Sequence, residues 1–236
     1  MVDEPFDIDT LAAYLHTSPQ RISRLADRGK LPGRKVGGRW RFAPAEVHHW
    51  LENRIGVSDE EELVEMEGVL SRSAEPGAEA PVVLAELLPR EAIAVPLVAR
   101  TKNSVITKMT ELAAGTGLLW DAQQMAEAVR VREEMHPTAL DIGVALLHPR
   151  RPMPSILGQS LLALGVTPSG IPFGGTRGGL TDVFFLICSE NDQRHLRILA
   201  RISRLIGDSA FLAALRAAPD AQAAHELIAE HEAKLG

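Results

Sequence analysis

Apolar positions change period several times along the chain, and each change marks an element. Residues 9–15, DTLAAYL, pattern as a short helix capped by Asp9 or Thr10. A turn follows, then a helix from about Ser18 to Arg28, with Pro19 in its first turn and Gly29 as its stop. Residues 34–42, RKVGGRWRF, alternate polar and apolar around Gly37-Gly38, the pattern of a hairpin. A further helix is predicted from about Pro44. Residues 57–81 form a connector, in which Leu63, Met66 and Leu70 fall on one helical stripe before a flexible SAEPGAEAP stretch. Two turns are too short to tell a dimer seam from packing within one domain.

A second set of elements fills residues 82–236. Residues 102–115 and 121–135 are amphipathic helices, the first with a glycine stop. Residues 143–147, GVALL, read as a short buried strand, followed by an extended segment over roughly 154–166. Residues 170–188 look like two strands joined by a glycine-rich turn, and the chain finishes in three helical stretches. This order predicts an α/β sandwich with a mixed sheet flanked by helices, behind a small all-α winged helix-turn-helix domain. The expected boundaries are 1–56 and 82–236, with 57–81 between them.

Charge sharpens this division. The net charge of −6 hides eight Lys or Arg against one acid in residues 21–41, and eight acids against one base in residues 57–81. Aromatics are only 4 %, so the core must be aliphatic. The one cysteine, Cys188, lies in an apolar run, which excludes an internal disulfide and fits a reduced thiol. The acidic start is not a signal peptide, and no apolar run is long enough to span a membrane. A cytoplasmic location without membrane partners is expected.

The basic block resembles the excisionase-like helix-turn-helix, a relative of the MerR winged helix, over about residues 6–52. The element GKLPGRKVGGRWRF carries the likeness. Arg21, Arg24 and Arg28 recur at helical spacing and share a face. The resemblance implies that this helix enters the major groove of double-stranded DNA, with Gln20 and Arg21 at the base edges. Arg34, Lys35, Arg39 and Arg41 on the wing would meet phosphates or a minor groove. Trp40 is expected to pack under the hairpin. One such module binds weakly alone, so a homodimer or a repeated site is expected.

His148 raises a different chemistry. It ends an apolar strand and is followed at once by two prolines and two arginines. A neutral imidazole with one nitrogen lone pair presented outward is a nucleophile, and fixed cations would stabilise a transferred phosphoryl group. Residues 132–150, REEMHPTALDIGVALLHPR, resemble the phosphorylation motif of the fructose/mannitol/nitrogen-regulatory class of enzyme IIA of the phosphoenolpyruvate-dependent phosphotransferase system. The likeness extends over about 82–233. It implies phosphorylation of His148 by a phosphohistidine carrier protein, HPr or its nitrogen-branch paralogue. Arg132, Thr138, Gly143 and Ala145 fall on family positions, and His195 on the second active-site histidine. Arg150 and Arg151 are candidates for docking an acidic rim on the donor.

Three positions depart from the pattern. Leu147 replaces a proline, His136-Pro137 replaces Gly-Ser, and Asp141 adds a negative charge where glycine is common. No cofactor and no metal site are expected. His195 at a helix start could instead serve as a cap, and His16, His48, His49 and His136 receive no role. GGTRGG, 174–179, leads into a strand, so it is read as a hairpin turn and not a phosphate loop. The expected function is a DNA-binding regulator with a phosphohistidine-carrying domain, a phosphotransferase-type carrier and not a stand-alone enzyme. The alternative is a regulatory protein whose second domain carries no phosphate and only recognises a partner.

Overall fold

The computed structural model describes residues 5–15, 17–44, 46–47, 50–51, 82–175 and 178–235. The connector at 57–81, with its Leu63–Met66–Leu70 stripe, lies outside the described residues, as do His16, His48 and His49. Contacts divide the chain into two units, Met1–Pro81 and Val82–Gly236.

In the first unit, α1 spans Ile8–Tyr14 and α2 spans Pro19–Asp27. The cap of α1 is Asp7, which corrects the expected Asp9 or Thr10. The Thr10 amide donates to the Asp7 carboxylate at 2.9 Å, and the Asp7 amide donates back to Thr10 Oγ1 at 2.8 Å. This reciprocal box needs a carboxylate three residues before a hydroxyl, a spacing that Asp7 and Thr10 meet. The Thr10 amide bond is the main reason the Asp7 carboxyl sits below its usual range. Ser18 caps α2, whose first residue is Pro19. β1 (Arg34–Val36) and β2 (Arg39–Arg41) pair antiparallel, with Lys35 opposite Trp40. Gly37 and Gly38 have φ of 58° and 78°, the left-handed pair that a two-residue hairpin turn requires. Pro44, Glu46, Val47, Trp50 and Leu51 are helical. Leu11, Ile22, Phe42, Val47 and Leu51 are buried in this unit, which adds one aromatic ring to an otherwise aliphatic set.

The second unit runs α3 (Leu84–Leu87), β3 (Ile93–Ala94), α4 (Lys102–Gly115), α5 (Ala122–Met135), β4 (Val144–Leu147), β5 (Leu161–Pro172), β6 (Leu180–Cys188), α6 (Asp192–Gly207), α7 (Ser209–Arg216) and α8 (Ala221–Lys234). The sheet order is β3-β5-β6-β4. Within this sheet β5 and β6 pair antiparallel, while β3 with β5 and β4 with β6 are parallel. The sheet is therefore mixed.

The expected extended segment at 154–166 is a 3₁₀ turn at Pro154–Ile156 and then a strand that continues to Pro172. The β5–β6 ladder closes with Pro172 opposite Leu180, so the two strands form one long hairpin; Thr176 and Arg177 of the glycine-rich stretch lie outside the described residues. The register shifts between Val166 and Ile171, where Pro168 would otherwise break the ladder.

Side chains alternate across the sheet. Ala145, Leu147, Ala163, Phe184 and Leu186 face a core shared with Val105, Met109, Met125 and Val129 of α4 and α5. Val144, Leu146, Leu162, Phe185 and Ile187 point the other way and are also buried. α6 packs on β6 from that side. Helices thus cover both faces, and burial on both sides explains why these strands read as continuous apolar runs.

Candidate functional site

All four residues of β4 are buried, and the strand delivers His148 directly from its end. The ring is 3 % exposed. Its Nδ1 lies 2.8 Å from the carbonyl oxygen of Leu146. A carbonyl can only accept, so Nδ1 is the donor, and in a neutral ring the lone pair is then on Nε2. His195 in the first turn of α6 brings its ring centroid to 4.8 Å from that of His148, at 57° between planes. The capping alternative for His195 does not hold. Asn191 caps α6 by accepting from the Arg194 amide at 2.8 Å, which leaves the His195 ring to face His148. Glu190 fixes the approach to that helix: its carboxylate accepts from the Ser160 amide at 3.1 Å and hydroxyl at 2.9 Å.

Arg132 in the last turn of α5 and Thr138 on the loop between α5 and β4 each tie that loop to the helix. Arg132 is buried and donates to the His136 carbonyl at 2.5 Å. Thr138 donates to the Glu133 carboxylate through both its amide, at 3.0 Å, and its hydroxyl. This loop covers the edge of β4 that β6 leaves open. Leu140 donates to the Val144 carbonyl at 2.7 Å, and Leu146 to the Thr138 carbonyl at 3.4 Å. Gly174, just past β5, packs against Pro137 of the same loop.

Arg150 and Arg151 are exposed two and three residues beyond His148. Leu147 is fully buried and pairs with Leu186, so leucine keeps β4 in its ladder up to His148. His136 and Asp141 are exposed. Sequence pattern does not single out Glu133 or Lys102. Glu133 is 1 % exposed, and Lys102 reaches it from α4 at 3.0 Å. Their relation crosses a helix end and two helices, which no periodic pattern records. Burial pushes the Cys188 thiol up to about 12. Among the described residues, no three His, Cys, Asp or Glu side chains are grouped as metal ligands. Nor is any helix there long and apolar enough to cross a membrane.

In the first unit, Gln20, Arg21 and Arg24 are exposed on α2 and Arg28 is exposed just past its end, while Ile22 and Ala26 are buried. The wing cations divide into two groups. Arg34 and Arg39 are exposed. Lys35 lies 3.7 Å from Asp27 and over the Trp40 ring, and Arg41 lies 3.5 Å from Asp7. Trp40 is half-buried, stacks on Phe42, and donates from Nε1 to Asp27 at 3.3 Å. Its packing role under the hairpin is thus also a tie between wing and α2.

Comparison with known proteins places both units. Residues 6–55 match a helix-turn-helix domain model. A nitrogen regulatory protein of Bradyrhizobium diazoefficiens is 34% identical over 151 residues, covering 62% of this chain and 94% of that protein. The fructose-specific EIIABC component of the phosphotransferase system of Bacillus subtilis is 25% identical over 151 residues, 63% of this chain but only 23% of that longer protein. Two solved structures share the fold. The nitrogen regulatory protein IIA-Ntr from Neisseria meningitidis aligns with a TM-score of 0.56 at 19% identity, over 62% of this chain and 99% of that one. The IIA mannitol protein of Escherichia coli gives 0.53 at 19%, over 59% and 97%. Residues 86–231 match the model of the phosphoenolpyruvate-dependent sugar phosphotransferase system EIIA 2 family, and the chain belongs to that family.

Proposed function

We propose that this chain is a DNA-binding regulator whose EIIA-type domain accepts a phosphoryl group on His148 from a phosphohistidine carrier protein. The observation that carries the reading is the Nδ1 bond to the Leu146 carbonyl at 2.8 Å. It leaves the Nε2 lone pair as the nucleophile beside His195. Nε2 attacks phosphorus as the phosphorus–nitrogen bond of the donor's phosphohistidine breaks. His148 retains its Nδ1 proton, and the Leu146 carbonyl stabilises the positive charge that develops on the ring. Arg132 and His195 are the groups to meet phosphoryl charge, with Thr138 fixing the loop beside them. Arg150 and Arg151 give a basic rim that fits acidic side chains on the donor. HPr or its nitrogen-branch paralogue is the donor in this reading, and no cofactor is required. The name of the Bradyrhizobium relative accords with a regulator.

The helix-turn-helix supplies the output. Gln20 and Arg21 read base edges, Arg24 and Arg28 share their face, and the wing residues Arg34, Lys35, Arg39 and Arg41 meet backbone phosphates. In this reading 1–56 binds DNA as a homodimer or at a repeated site, 57–81 connects, and 82–236 senses phosphorylation. The charge added at His148 changes DNA affinity through the acidic connector.

Intact mass after incubation with phosphoenolpyruvate, enzyme I and HPr tests the first step. One phosphoryl adduct on wild type and none on His148→Ala is the expected result. Burial of both rings, 3 % for His148 and 5 % for His195, favours one competing reading, in which the fold recognises a partner and carries no phosphate. No adduct with either carrier paralogue, beside a working control, would establish that reading instead.

A further inference from the structure

His148 is held from two sides, and one of them traces back to a residue to which the phosphotransfer reading gives no part. On one edge, β4 pairs with β6, Leu146 opposite Phe185. On its other edge lies the 136–140 loop, through the Leu140 and Leu146 amide bonds. Leu146 is where the two restraints converge. Its amide donates to the Thr138 carbonyl, and its carbonyl accepts from His148 Nδ1. Thr138 is itself anchored by the Glu133 carboxylate, through two donors. Glu133 in turn is oriented by Lys102, whose ammonium lies 3.0 Å from Oε2, donates to the Glu133 carbonyl at 3.3 Å, and sits 5.1 Å above the Phe173 ring.

We propose that Glu133, oriented by Lys102, is a positioning residue that sets the ring orientation and tautomer of His148 through Thr138 and Leu146. A carboxylate is the right group because it has only acceptors. One oxygen faces the Lys102 ammonium and the other faces two donors on Thr138. An amide of the same shape cannot satisfy both sides. With Lys102 present, glutamine turns its oxygen to the ammonium and its NH₂ toward the Thr138 amide, donor against donor. Removing Lys102 as well lets the amide turn round and offer its oxygen to Thr138.

This makes the double variant the decisive one. The proposal rests on the phosphotransfer reading for its consequence but not for its readout, because the tautomer of His148 is visible without any donor. In the full chain labelled with ¹⁵N-histidine, long-range proton–nitrogen spectra report which ring nitrogen carries hydrogen. Wild type should show His148 as the Nδ1–H form. Glu133→Gln should show a mixture of tautomers, and its phosphorylation rate should fall at least about tenfold with the donor KM unchanged. Lys102→Met/Glu133→Gln should return the single Nδ1–H form and recover most of the rate, which loss of a structural ion pair would not do. An unchanged tautomer in Glu133→Gln would overturn the proposal, as would a mixture that persists in the double variant. Far-UV ellipticity confirms that each variant is folded, and Thr138→Val, which removes only the hydroxyl donor, should give an intermediate mixture. Wild type that takes no phosphoryl group would end the phosphotransfer reading yet leave the tautomer comparison able to decide this one.

Discussion

Replacing Gly174 by alanine tests how the β5–β6 hairpin bears on the loop beside His148. Gly174 has φ of 98°, where a side chain is strained. A Cβ built there lies 2.9 Å from Pro137 Cγ and 3.0 Å from its Cβ. The proline ring cannot rotate away, so either the hairpin or the 136–140 loop must shift. Backbone strain of about 1–3 kcal/mol and overpacking of about 1–3 kcal/mol together predict a loss of roughly 2–6 kcal/mol. Gly207 is the control. It ends α6, has no atom within 4 Å of its built Cβ, and has no positive φ. Alanine there should gain about 0.5 kcal/mol. Urea unfolding of the full chain, followed by far-UV ellipticity, gives both differences. A Gly174→Ala variant within about 0.5 kcal/mol of wild type would refute the reasoning, because such tolerance requires space that the contact with Pro137 excludes. A destabilised but folded variant should also accept phosphate from the donor more slowly, since Pro137 lies between His136, which Arg132 holds, and Thr138.

Glu232 is buried and accepts from the Leu84 amide at 2.7 Å, the Ala85 amide at 3.1 Å and Arg201 Nε at 3.2 Å, so Glu232→Ala should cost about 3 kcal/mol in the same urea assay; a cost below about 1 kcal/mol would show that the α3–α8 tie is not needed. On the wing, Arg39→Ala should reduce the slope of log K against log salt for duplex DNA by about 0.9. Lys35→Ala should reduce it by less than half as much, because Asp27 already lies against that ammonium; equal reductions by anisotropy would mean Lys35 leaves Asp27 on the DNA. Burial raises the Cys188 thiol from 9.0 to about 12. Above pH 9 the unfolded chain therefore loses this proton first, and stability falls by about 1.4 kcal/mol per pH unit toward pH 12. Urea midpoints between pH 8 and 10.5 should consequently fall faster for wild type than for Cys188→Ala, and parallel curves would place the thiol in contact with water.

What the sequence determined by itself are the features carried by local pattern. Amphipathic spacing is enough for α4 and α5, because each buries one continuous stripe. Gly37-Gly38 specifies the hairpin turn because left-handed backbone is cheap only for glycine. The motif around His148 is legible because the residues from Arg132 to His148 are close along the chain, and the prediction of the mixed sheet follows from the order of its elements. Local pattern misplaced the cap of α1, where two candidate carboxylates lie two residues apart and only the box with Thr10 separates them. It also cut β5 short, since Pro168 looks like a strand end until the ladder with β6 continues beyond it. Tertiary structure alone decided the rest. His195 is 47 residues from His148 and meets it only because α6 returns over the sheet. Glu133 is one more helical glutamate until folding takes it out of water and places Lys102 and Thr138 against its two oxygens. The wing cations look alike in sequence, and it is the packing of the wing on α2 and on the start of α1 that ties Lys35 and Arg41 to carboxylates. In each case the deciding interaction joins residues far apart in the chain, and a buried charge or ring takes its role from partners that only the closed fold supplies.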